Sequence, residues 1–293
     1  MMASRCVSID LTSRPSPSRE RSPFLEKHNT GSQETFAKSH MMHNMRFPPW
    51  LLPTTLALLM VDAIIELSFV SSMVAWLHRT AGGSIQIVAP STSPQLSFQL
   101  HGKPANLLVN QGHTSNGAAG TAFVLVGLGG ILVLTLTHNQ RRQNQNKPNT
   151  AITFLHTAWL ISTLLSAVLT LSALIYTFVI TTSHAHQTID LPTAAALDNR
   201  PYPNYVAYPL DAWTPENWFA AVLGQLQLVQ PDQRDDIAAH LRVMRAWRWN
   251  LVPLFVVGVG LCVVAVGDAW GRKREEKAVL LPRGGGAKMV GRV

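Results

Sequence analysis

The chain has 293 residues, of which 47% are apolar and only 14% charged, where a soluble domain carries roughly 25% charged residues. The formal charge of +8 does not mark a nucleic-acid binder, because the basic residues gather in two tails and one short connection and no zinc-knuckle, helix-turn-helix or RNA-binding pattern accompanies them. Asp, Glu, Lys and Arg are absent altogether from 51–61, 119–137, 157–181 and 251–267, which excludes an ordinary soluble fold, whose helices keep a charged outer face.

Residues 1–46 read as a disordered, basic cytoplasmic tail. Ser, Arg and Pro dominate it, and such a segment buries too little apolar surface to offset its ordering entropy. The first span is expected over 50–77, with Trp50 and Trp76 at its ends as interfacial aromatics. Residues 79–118 form a first outward loop. Within it Ser84-Ile85-Gln86-Ile87-Val88 and Gln95-Leu96-Ser97-Phe98-Gln99-Leu100 alternate with period two, which predicts a short β-hairpin. The Gly- and Asn-rich stretch 110–120 is expected to be flexible.

The second span is placed at 119–138, a short basic loop at 139–150, and the third span at 151–182. A large outward loop follows over 183–250. In it Thr214-Pro215-Glu216 supplies an N-cap, a first-turn proline and a first-turn acid for one helix. A second helix is expected to begin near Pro231-Asp232. The fourth span is placed at 251–270 and a basic tail at 271–293. The expected fold is therefore an all-α membrane protein, a four-helix transmembrane bundle with a small, partly helical outward-facing loop domain.

Charge orients it. The N-terminal tail carries seven Lys and Arg against four acids, and the C-terminal tail seven against two. The short connection has Arg141, Arg142 and Lys147 and no acid. The positive-inside rule puts these three segments in the cytoplasm, so the long loops face the lumen or the outside of the plasma membrane or another secretory-pathway membrane. Cys6 and Cys262 would be divided by the bilayer, which leaves the outward loops without a disulfide framework.

Asp62 and Glu66 are the sharpest feature. Four residues apart, they share one helical face inside an apolar run, where a bare carboxylate costs about 3 kcal/mol or more. The expected hydrogen-bond donors are hydroxyls of the third span. The pair reads either as a proton- or cation-handling site or as polar glue between helices. Ala158, Ser162, Ser166 and Thr170 recur every four residues and read as a packing ridge, as do Gly127, Gly129 and Gly130. Tyr202, Tyr205, Tyr208, Trp213 and Trp218 read either as a partner-binding patch or as a loop packed on its own helices. His40, His43, His184 and His186 are too few for a metal site. No catalytic residue, metal or cofactor is assigned.

The run Tyr208-Pro209-Leu210-Asp211-Ala212-Trp213-Thr214-Pro215-Glu216-Asn217-Trp218 resembles a set of four-span membrane proteins of filamentous fungi. So do Arg234-Asp235-Asp236-Ile237 and the segment from Leu241 to Asn250. The likeness covers roughly the second half of the chain and implies the topology, with no activity or site residue attached. Loop proportions are similar to those of tetraspanins and claudin-like proteins, whose cysteine motifs are absent. The function expected is that of a non-enzymatic membrane scaffold acting through its large outward loop. The alternative is a transporter or channel subunit using Asp62 and Glu66. The partners expected are the lipid bilayer, proteins that meet 183–250 and the tails, and further copies of the chain, but not nucleic acid.

Overall fold

A computed structural model describes residues 47–79, 81–89, 96–142, 150–205 and 212–280. The tail 1–46, Tyr208 and residues 281–293 lie outside the described residues. Four helical stretches are long and apolar enough to cross a membrane: Leu51–Arg79, Asn110–Gln140, Thr150–Ser183 and Pro231–Arg274.

Helix α1, Leu51–Arg79, is about 43 Å long at 1.5 Å per residue. Its buried stripe recurs at helical spacing through Leu52, Leu56, Leu59, Ala63, Glu66, Val70 and Met73. The next rod joins α2, Asn110–Thr121, a π-helical segment, Ala122–Leu128, and α3, Gly129–Arg142. Helix α4 is Thr150–Ser183. Two short helices follow, α5 at Leu191–Ala196 and α6 at Pro215–Gln225. Helix α7 runs for 50 residues, Pro231–Leu280, unbroken through Pro253. The helix expected near Pro231 and the fourth span are thus one rod.

The bundle core joins Leu52, Leu56, Leu59 and Ala63 of α1 to Val126, Val133 and Trp159, and to Leu251, Leu254 and Leu261 of α7. Its outer face exposes aliphatic side chains such as Leu58, Val61, Leu128, Leu164, Val179 and Val256. Close approach explains the glycines. A Cβ on Gly127 would meet Met60, and one on Gly130 would lie 3.0 Å from both Leu56 methyls and from the Trp159 indole nitrogen; Gly129 faces the same indole at 3.7 Å. Gly130→Ala is expected to destabilise the bundle by about 1–3 kcal/mol through overpacking, read as a lower thermal midpoint in detergent. An unchanged midpoint would show that Leu56 has room to yield.

The stretch 110–120 is helical, contrary to the flexible loop expected. Its Gly, Asn and Ser residues are poor helix formers, but their small side chains let α2 pack tightly. Ala118 and Ala119 are fully buried, and the Ser115 hydroxyl lies 3.5 Å from that of Thr177 on α4. Packing overrides propensity here.

The two long loops form one cap rather than a free loop and a separate domain. Strand β1, Ser84–Val88, pairs antiparallel with β2, Ser97–His101, from Ser84 opposite His101 to Val88 opposite Ser97. Alternation buries Ile85, Ile87, Phe98 and Leu100. The second loop is sewn to this hairpin: Val88 N donates to Gln227 O at 2.8 Å, and Val229 N to Gln86 O at 3.0 Å. Farther along, Leu108 N donates to Trp213 O at 2.8 Å and Trp213 N to Asn106 O at 3.0 Å. Thr214 caps α6 by accepting from Asn217 N at 3.2 Å, and Asp190 caps α5 by accepting from Thr193 N at 3.0 Å. Both α1 and α7 run on from the bundle into the cap core, through Met73, Trp76 and Leu77 on one and Ile237, Leu241 and Met244 on the other.

Candidate functional site

The antiparallel α1 and α7 meet along their whole shared length, from Phe47 against Gly267, through Leu59 against Gly258, to Trp76 against Asp236. This register brings Asn250 opposite Asp62 and Glu66. Its amide nitrogen donates to Glu66 Oε2 at 3.0 Å and to the Asp62 backbone carbonyl at 3.5 Å. Glu66 is completely buried. One turn nearer the cap on α7, the Trp247 indole faces the same carboxyl, although its N–H falls outside hydrogen-bond geometry to any acceptor. Asp62 Oδ2 and Glu66 Oε1 are also buried without a partner. None of the ion pairs among the described residues includes either carboxylate.

The hydroxyls expected to serve this pair point elsewhere. Thr170 Oγ1 donates to Ser166 O at 2.8 Å, and Thr163 Oγ1 to Trp159 O at 2.9 Å, both within α4. The buried stripe of α4 is Trp159, Thr163, Ser166, Ala167, Thr170, Ala173 and Thr177. Ser166 and Thr170 belong to it, while Ala158 and Ser162 lie half-buried at its margin. A strict four-residue repeat drifts around a helix of 3.6 residues per turn, so the ridge read from spacing alone slides off the contact face.

The aromatic patch divides. Tyr202, Trp213 and Trp218 are buried and form the centre of the cap, with ring centroids 5.1 Å apart for Trp213 and Trp218 and 5.7 Å for Tyr202 and Trp218. Trp218 Nε1 donates to Gly102 O at 2.8 Å, and the Tyr202 hydroxyl accepts from Asp190 N at 2.8 Å. Burial pushes the Tyr202 phenol above its ordinary range. These three side chains cannot meet a partner without opening the cap. Among the described members of the patch, Tyr205, 63% exposed, is the one on the surface. Trp76 is likewise no interfacial anchor: it donates to Asp236 Oδ2 at 2.8 Å, stacks on His240 with centroids 4.3 Å apart, and meets Phe219 edge-on.

Glu216 ties α6 to α7, with Arg248 at 3.3 Å and Arg245 at 3.7 Å. Arg248 also lies over the Phe178 ring of α4, 5.4 Å from its centroid. Burial pushes the Glu216 carboxyl above its ordinary value of 4.5, against the downward pull of the two guanidiniums. A carboxyl that holds its proton more tightly folded than unfolded contributes stability that is complete below its unfolded value and fades as pH rises through its folded value. The thermal midpoint is therefore expected to rise as pH falls from neutral toward 4.5, and Glu216→Gln to flatten that rise. An equal slope in the variant would assign the effect to another group.

Among the described residues no three His, Cys, Asp or Glu side chains converge as metal ligands. His184 Nδ1 instead lies 2.8 Å from Ile180 O within its own helix turn. Reading the sequence missed Asn250 and Trp247. The available signal was position: Asn250 is the last polar residue before the uncharged run 251–267, as Glu66 is the last acidic residue of α1. No family model, curated protein or solved structure matches the chain.

Proposed function

We propose that the chain is a four-span protein of the plasma membrane or another secretory-pathway membrane, with both tails cytoplasmic and the cap outside or lumenal. It acts without enzymatic chemistry, as an organiser that presents the cap and tails to partner proteins. One observation carries this reading. The intramembrane carboxylates are built into the wall between α1 and α7 and braced there by Asn250, with the cap packed as a continuation of the same two helices. Such a brace serves a rigid platform. The exposed aliphatic belt of the four helices suits contact with lipid.

The alternative, a proton- or cation-handling subunit, draws on the unpartnered oxygens of Asp62 and Glu66. A single pair of variants separates the two. Asp62→Asn with Glu66→Gln, in reconstituted vesicles, is expected to leave proton and sodium permeability as in the native chain. Tyr205→Asp is expected to remove proteins cross-linked to the cap in intact cells while expression persists. A flux that vanishes in the carboxylate variant overturns the organiser reading.

A further inference from the structure

Asp62 stands apart from Glu66. Glu66 is completely buried and accepts from the Asn250 amide at 3.0 Å. Asp62 is only half-buried. Asn250 meets its backbone carbonyl, at 3.5 Å, while its carboxylate oxygen Oδ2 has no partner. One turn on, Glu66 Oε1 is also buried without one.

The surroundings of Asp62 form a seam on the outside of the α1–α7 pair. Leu58, Asp62 and Ile65 recur at helical spacing on α1, and Leu58 and Ile65 are 54% and 40% exposed. Asn250, Pro253 and Gly260 recur likewise on α7; Pro253 is exposed, and a Cβ on Gly260 would meet nothing within 4 Å. A glycine open to the outside lets a further helix approach closely. At 1.5 Å per residue Asp62 lies about 16 Å along α1 from Leu51 and about 12 Å from Val70. Leu59 meets Gly258, so Asp62 also stands level with the uncharged run 251–267. In a four-span protein that depth is beyond the head groups of either surface.

A carboxylate facing lipid is costly unless it is paired, so its complement is a cation at the same depth. This chain does not supply one. Lys and Arg are absent from 51–78, 119–137, 157–181 and 251–267, and none of the ion pairs among the described residues includes Asp62. A second copy would bring no base to this level, only another Asp62. From this we infer that the α1–α7 seam docks a membrane-spanning helix of another protein, one that carries a lysine or arginine near the middle of its apolar run. The cation pairs with the Asp62 carboxylate, and the helix lies between Leu58 and Ile65 on one side and Pro253 and Gly260 on the other. The inference rests on the four-span reading, but the seam is separate from the cap and the tails.

The test uses the full-length protein, labelled with a fluorescent donor, in vesicles of neutral phosphatidylcholine. The probes are synthetic single-span helices of leucine and alanine that carry an acceptor and one lysine at the midpoint. An alkaline carbonate wash comes first: loss of the protein from the vesicles would overturn the four-span reading and this inference with it. With the protein retained, the lysine helix is expected to associate about ten-fold more tightly than its all-apolar counterpart. A lysine moved two turns toward either end of the probe should lose that preference, a comparison that needs no variant of this chain. Asp62→Asn keeps the backbone carbonyl that Asn250 meets and is expected to abolish the preference, whereas Glu66→Gln retains it. A photoreactive group beside the lysine should label 58–65 and 253–260. Equal association of the lysine and apolar helices, a preference that survives Asp62→Asn or ignores the position of the lysine, or labels spread over the exposed face of α4 would each overturn the inference. So would energy transfer between two copies of the chain that Asp62→Asn removes, which would give the seam to self-association.

Discussion

Trp218→Ala is expected to open the cap while the four apolar helices stay assembled. Trp218 is completely buried, packs edge-on against Trp213 and tilted against Tyr202, and sends its indole N–H to the Gly102 carbonyl. Truncating a buried tryptophan costs about 3–5 kcal/mol, and the Gly102 carbonyl is orphaned in the same step. Relief by backbone movement is blocked nearby, because Gly102 lies so close to the Ala81 carbonyl that even a Cβ there would overlap it. Limited proteolysis in detergent should then cut within 96–101 and 212–228, where the native chain is expected to resist. Trp218→Phe keeps most of the ring and loses the hydrogen bond, so its loss should be nearer the 1–3 kcal/mol of one unsatisfied acceptor. Native-like resistance in Trp218→Ala would mean that these rings do not hold the two loops together.

The second large effect is expected at Asn250. Asn250→Leu leaves the fully buried Glu66 with no donor but the misaligned Trp247 indole, which costs about 1–3 kcal/mol and more if the carboxyl is charged. Glu66→Gln keeps an acceptor for the Asn250 amide and is expected to be nearly silent. Replacing both partners, Glu66→Met with Asn250→Leu, should recover most of the loss, since an apolar pair of similar volume leaves nothing unmade. Unfolding titrations in mixed micelles give the coupling energy; such pairs between membrane helices average about 0.6 kcal/mol and reach at most about 1.7 kcal/mol. Additivity of the two single variants within about 0.5 kcal/mol would show that the residues act independently.

Placement of the brace also bears on what it can do. Leu59 approaches Gly258, and Glu66 lies about 10 Å from Leu59 toward the cap at 1.5 Å per residue. The carboxyl therefore sits midway along α1, Leu51–Arg79, one turn below Val70, which lines a cavity of about 670 Å³ between α1 and α2. Asn250 bonds both carboxylate-bearing turns of α1, so a movement of α7 relative to α1 would break both contacts together.

Periodicity was enough to place the hairpin, because a half-buried strand must alternate, and Ile85, Ile87, Phe98 and Leu100 do. Cap chemistry was enough to start α6 at Pro215, because Thr214 and a first-turn proline satisfy the backbone there whatever surrounds them. Neither signal works where the partner is remote in sequence. Trp76 looked like an interfacial aromatic because its bond to Asp236 spans 160 residues. The tyrosines and tryptophans of the second loop looked available to a partner because nothing local tells a packed ring from a presented one. The segment 110–120 looked like a loop because its helix is held by neighbours rather than by its own propensities. The π-helical turn at Ala122–Leu128, whose Val126 carbonyl accepts from the Trp159 indole at 2.9 Å, leaves no mark in the hydrophobic pattern.

By itself, then, the sequence determined that four uncharged runs become helices long enough to cross a membrane, since backbone amides away from water must bond to one another and an apolar helix satisfies them locally. Only the tertiary structure decided that the two loops make one cap, that Asn250 rather than a third-span hydroxyl meets Glu66, and that a cavity of about 670 Å³ lies between α1 and α2. Each of these depends on which residues of antiparallel rods come level with one another, and that register is set by side-chain packing at Gly127, Gly130 and Gly258.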